Sequence, residues 1–161
     1  MKAEVSLPEL EAPRVTLVGE SNPYGDDPQY ALYPYPDGCS GHRLCRLVLG
    51  MNRRHYLASF KRVNLVRGDW SLPAARTRAA ELRQDGGRFV LLGANVCRAF
   101  GVTFAPFVAY MQAGETLLCL PHPSGRCRLW QEPGTIEKAR VAVAALAPWL
   151  AEKIGAVNGK T

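Results

Sequence analysis

The sequence predicts an α/β domain: a three-layer α/β/α sandwich around a central, mainly parallel sheet of four strands. Three observations predict it. Short strand-like runs, Phe89 to Leu92 the clearest, are continuously apolar, as strands buried on both faces are. Segments with helical spacing alternate with them, the signature of βαβ units. The chain has 161 residues, which is one domain's worth, and 47% of them are hydrophobic against 21% charged, so a sizeable core is affordable and a disordered or collagen-like chain is excluded.

Taken in order, residues 1–13 read as an N-terminal arm, with Pro8, Pro13 and three glutamates but no periodicity. Arg14 to Gly19 is the first strand, a β-branched run closed by glycine. Glu20 to Gly41 is rich in proline, glycine and tyrosine and reads as a long loop, the kind that in compact domains is usually functional. Ser40 opens a helix whose apolar positions are Leu44, Leu47 and Val48, and Gly50 stops it. His55 to Phe60 continues helically into a second strand, Phe60 to Val66. Pro73 introduces a helix over Ala74 to Gln84, stopped by Asp85-Gly86-Gly87. Phe89 to Leu92 is the third strand, Asn95 to Phe100 a short helix, and Glu115 to Leu120 the fourth strand. Thr135 to Ile154 reads as one amphipathic helix, with Ile136, Ala139, Val143, Leu146 and Leu150 on one face. One domain over residues 14–154 and a tail over 155–161 complete the division.

Twenty Lys and Arg against fourteen Asp and Glu give a net charge of +6. Arginine dominates the excess, and its planar fork suits phosphate, so a polyanionic partner fits the charge. No stretch approaches the ~18 apolar residues of a membrane span, and the first residues lack the apolar block of a signal peptide. A soluble, cytoplasmic chain with no membrane partner is the expectation. The five cysteines (Cys39, Cys45, Cys97, Cys119, Cys127) form no CxxC pair, and the three histidines have no zinc-site spacing to them. Reduced structural thiols, with no metal, are expected.

In an open α/β sheet, ligands bind beyond the carboxyl ends of the strands. The first strand delivers Gly19-Glu-Ser-Asn-Pro-Tyr-Gly25, the second Asn64, the third Gly93-Ala-Asn95, and the fourth Pro121-His-Pro-Ser-Gly125. Two short loops would then converge on one mouth, one bringing an amide and acids, the other an imidazole and a hydroxyl.

Gly19 to Gly25 and His122-Pro-Ser-Gly125 resemble motif A and motif B of the uracil-DNA glycosylase superfamily. Leu32-Tyr-Pro-Tyr35 resembles the stretch on which that family stacks the extracted base, Val63-Asn-Leu65 its strand with a base-reading asparagine, and Phe89 to Ala94 its strand-plus-glycine before motif B. The resemblance runs from Val15 to about Leu150. It implies a uracil-DNA glycosylase-like fold and a monofunctional enzyme that flips uracil or a related pyrimidine from DNA and hydrolyses its glycosidic bond, leaving an abasic site. The implied partner is DNA, duplex or single strand, bound by a monomer without a cofactor. Family members that hold an iron–sulfur cluster carry cysteine pairs that this sequence lacks.

The resemblance also implies roles. Asn22, aligned on Pro23, would orient the attacking water. An amide cannot accept a proton at neutral pH but holds water through its carbonyl oxygen. Alignment on Gly19 puts Ser21 there instead, and Glu20, Asp26 and Asp27 are carboxylates near enough to serve as base. His122 would donate to the pyrimidine O2 as charge grows there. Tyr35, or alternatively Tyr33, would stack on the base, Tyr24 would exclude a 5-methyl group, and Asn64 would read the O4 and N3–H edge. Ser124 and the backbone around Gly125 would hold a phosphate. Arg126 and Arg128 stand where other members carry leucine, so the wedge that fills the vacated stack is Arg126 or Leu129, while Trp130 reads equally as core. Arg43 and Arg46 would add phosphate contacts. His42 and His55 read as solvated helix residues. Two readings compete: a glycosylase of the same fold acting on a bulky or sugar-bearing pyrimidine in foreign DNA, and a non-catalytic binder of modified DNA.

Overall fold

The computed structural model describes residues 14–22, 25, 27–112 and 114–157. The arm over residues 1–13, Pro23, Tyr24, Asp26, Ala113 and residues 158–161 lie outside them. The strands are β1 (Val15–Gly19), β2 (Phe60–Asn64), β3 (Gly87–Leu92), β4 (Ala109–Gln112) and β5 (Glu115–Leu120). They form one sheet in the order β2-β1-β3-β5-β4. The first three pairings are parallel, and β4 runs antiparallel to β5.

The four expected strands are all present, and a fifth joins them. A sheet of four is therefore corrected to a mixed sheet of five. β4 escapes a search for continuous apolar runs because it is an edge strand, with Ala109, Met111 and Gln112 exposed. One neighbour is all such a strand needs to satisfy.

Alternate residues of each central strand enter separate cores. Val15, Leu17, Val90, Leu92, Leu118 and Leu120 pack on one face, together with helices α1, α2 and α5. Here α1 is Ser40–His42 continued as the π-helical Arg43–Val48, α2 is Arg53–Ser59 and α5 is Thr135–Leu146. Val18, Phe89, Leu91, Leu117 and Cys119 pack on the other face against α3 (Leu72–Leu82) and α4 (Ala94–Ala99). With helices on both faces, strand residues that are buried throughout follow from the period-two alternation of a pleated strand.

Helix α5 stops at Leu146, short of the expected Ile154. Pro148 has no N–H to continue the ladder and restricts Ala147, which sits at φ −135°, ψ 75°. A 3₁₀ turn, Pro148–Leu150, follows. Beyond it Gly155 N–H and Val157 N–H donate to Leu49 O and Gly50 O, both at 2.8 Å, so the chain stays pinned against the end of α1 up to residue 157. The last carbonyls of α1 are served from α5: Arg140 Nε donates to Val48 O at 2.8 Å.

One close approach sets the loop before α1 against the helix itself. A Cβ on Gly41 would collide with the Tyr33 carbonyl oxygen and the Leu32 backbone, and Leu32 is held at φ 51°, a left-handed conformation rare for leucine. Tyr56, fully buried, donates its hydroxyl to Leu32 O at 2.8 Å and fixes that strained residue. Gly41→Ala is predicted to lower the unfolding free energy by roughly 3 kcal/mol, read from the urea midpoint, because backbone and not a flexible side chain must move. A midpoint like that of the unsubstituted chain would contradict this packing.

Candidate active site

Parallel pairing aligns the carboxyl ends of β1, β2, β3 and β5 along one edge of the sheet. Gly19 pairs with Asn64, and Leu92 with Leu120, so the residues that follow these strands are brought together. A cleft of about 720 Å³ opens there. Glu20, Ser21, Asn22, Tyr33, Tyr35, Asn64 and His122 all line it. The two turns expected to face each other thus share one cleft.

His122 is the most constrained of these. Its Nδ1 accepts the Ser124 backbone N–H at 3.1 Å, so the neutral ring carries its proton on Nε2. Its carbonyl accepts the indole N–H of Trp130 at 2.7 Å, and the next carbonyl, Pro123 O, accepts Arg43 Nε at 2.9 Å. Gly93, at φ 101°, leaves room for the ring, since a Cβ there would lie 3.3 Å from His122 Cβ. Burial pushes the imidazole below its ordinary value of 6.5, and the neighbouring Glu20 carboxylate, which acts the other way, does not overcome it. His122 therefore stands neutral at pH 7 with one N–H, and among the described residues no protein group takes up that donor.

Across the cleft, Asn22 donates its side-chain N–H to Tyr30 O at 3.3 Å, which fixes the orientation of the amide. Glu20, directly after β1, accepts from Asn95 Nδ2 at 3.3 Å. Its backbone carbonyl takes the Val66 N–H at 3.0 Å, extending the β1–β2 pairing past the strand ends. Asn64 lies over Gly19, where a Cβ would come within 2.7 Å of its Oδ1; only glycine lets the amide occupy the end of β1.

The third wall is aromatic. Tyr30 meets the Tyr33 ring edge-on at 5.1 Å, and Tyr33 and Tyr35 lie 5.7 Å apart. Arg53 covers one face of Tyr35 at 4.2 Å while it pairs with Asp37 at 2.6 Å and donates to Pro34 O at 3.2 Å. A planar ligand would therefore stack on the opposite face of Tyr35, or on Tyr33.

Ser124, Gly125, Arg126 and Arg128 are not in the lining. They follow His122 on the adjoining turn, where Gly125, Arg126 and Arg128 are exposed. Tyr24 lies outside the described residues. Arg46 corrects the expectation that it reaches phosphate: on α1 it is only 7% exposed. Arg43 holds Pro123 O, so it braces the His122 turn. Trp130 is buried core and a clamp on His122 O. His42 is not solvated: it is half-buried, and its Nδ1 accepts Gly38 N–H at 2.9 Å.

Sequence reasoning missed Tyr30, which the loop composition concealed; it placed Asn95 after the third strand but missed its contact with Glu20. Cys97 of α4 and Cys119 of β5 are both buried, with sulfurs 3.2 Å apart. Among the described residues no three His, Cys, Asp or Glu cluster as metal ligands, and no helix is long and apolar enough to cross a membrane. No protein-family model matches the chain, and no curated protein matches it either.

His122 and His42 are both depressed, in each case chiefly by burial. The unfolded chain then binds protons that the folded chain refuses, so stability rises with pH across the window beneath 6.5 and declines as pH falls through it. NMR titration is expected to place the His122 midpoint below 6.5, with the urea midpoint falling over the same window. A midpoint above 6.5 would contradict the burial of a neutral ring.

Proposed function

We propose that the protein is a monofunctional DNA glycosylase that draws a uracil-like base out of DNA and hydrolyses its N-glycosidic bond. The observation that carries the reading is His122: a neutral imidazole locked in one tautomer, lining a cleft shared with Asn22, Asn64 and the tyrosine wall.

Cleavage sends the bonding electrons onto the departing pyrimidine, and a pre-set donor at its O2 is stabilising where that charge develops. A neutral donor is suited to this, because it leaves the base as an anion without having to pass on a proton. Asn22, oriented through Tyr30 O, holds the water, and Glu20 takes the proton that the water releases as it attacks C1′. Asn64 reads the base edge, and Tyr35 or Tyr33 stacks on its face. Ser124, Gly125, Arg126 and Arg128 meet the DNA backbone beside the mouth. The likeness to the uracil-DNA glycosylase superfamily supports the same reading through the order of its motifs.

A second reading rests on the size of the cleft. At about 720 Å³ it has the volume of a site for a drug-sized ligand. That favours a pyrimidine carrying a large 5-substituent, laid along Tyr30, Tyr33 and Tyr35. A modified base of that kind would mark foreign DNA.

The test is release of free base from oligonucleotides bearing uracil, 5-hydroxymethyluracil or a bulky substituted cytosine. Release is expected to fall about 100-fold in His122→Ala and at least about 10-fold in Asn22→Ala, with DNA affinity retained and weakening steeply with salt. Tight binding to DNA with no base released from any member would contradict catalysis and favour a non-catalytic binder.

A further inference from the structure

Asn95 occupies a place that its own helix does not explain. It lies in the first turn of α4, whose N-cap is Gly93 with no side-chain capping bond. Asparagine is among the poorer helix formers, because its amide competes for backbone groups. Here the amide turns to another element: Nδ2 donates to Glu20 Oε2 at 3.3 Å, across 75 residues of sequence. The sheet makes the meeting possible. β3 pairs with β1, so the turn after β3 and the turn after β1 emerge side by side. Both side chains are half-buried, and Glu20 borders the cleft.

We infer that Asn95 is a positioning residue for the water-activating carboxylate: by holding Oε2 it directs Oε1 of Glu20 toward the water that attacks C1′. The inference rests on the glycosylase reading above and adds to it a residue outside the cleft lining. Chemically, the water oxygen bonds to C1′ as the C1′–N bond breaks. The electron pair leaves with the base, which His122 Nε2–H steadies, and the water's proton passes to Glu20 Oε1. Nothing further is consumed. A free carboxylate would spread over several rotamers, and a tethered one spends more of its time in the reactive orientation.

The test is a double-variant cycle read in single-turnover base release, with KM determined separately. Asn95→Ala is expected to lower the rate about 10-fold with KM changed less than about twofold, and Glu20→Gln to lower it about 100-fold or more. In the Glu20→Gln background, Asn95→Ala is expected to cost nothing further, since the group it aims is already gone. Asn95→Ser serves in its place if the alanine variant does not fold. A further loss of about 10-fold in the double variant, or a change carried by KM, would overturn the inference while leaving the glycosylase reading intact. An unsubstituted protein that releases no base would overturn both.

Discussion

The cleft exists because four strands run the same way. Parallel pairing of β2, β1, β3 and β5 stacks their carboxyl ends at one edge, and each strand there hands over a different group: Asn64, Glu20 with Asn22, Asn95 and His122. Those residues are separated by up to 102 positions in the chain, and nothing local would bring them together. The two apolar cores, one per face, are what hold that register, since slipping a strand by one residue would exchange its faces.

On this frame the site is built mainly from backbone and small residues. Ser124 N–H selects the tautomer of His122, Trp130 and Arg43 hold the carbonyls on either side of the following peptide, and Gly93 clears space for the ring. Gly19 does the same for Asn64, and Gly41 lets α1 close on the tyrosine loop. Side chains that would act on a ligand are thus supported by neighbours that would not touch it. That support is the ordinary requirement for a site that must hold its geometry within fractions of an ångström.

How much of this could be read in the sequence depended on the kind of signal. β1, β3 and β5 are continuous apolar runs closed by glycine or proline, and such runs are hard to place anywhere but in a buried sheet. β4 is short and exposed, so its identity comes from its partner and not from its own pattern. The end of α5 was hidden by apolar residues that continue past Pro148 on the same spacing, while the proline itself ended the helix. At the cleft, Asn22, Asn64 and His122 were legible because each follows a strand. Asn95 follows a strand too, but its contact with Glu20, like that of Tyr30 with Tyr33, is one that folding alone creates. Arg46 illustrates the converse. Its charge suggested a surface, yet it lies buried on α1.

The reading stands most directly on where a pyrimidine sits. A crystal structure with abasic DNA and free uracil is the decisive measurement. The account predicts the ring stacked on Tyr35 or Tyr33, with its O2 within hydrogen-bond distance of His122 Nε2 and its edge on Asn64. A base bound elsewhere, or an imidazole turned so that Nε2 faces away from it, would contradict the account.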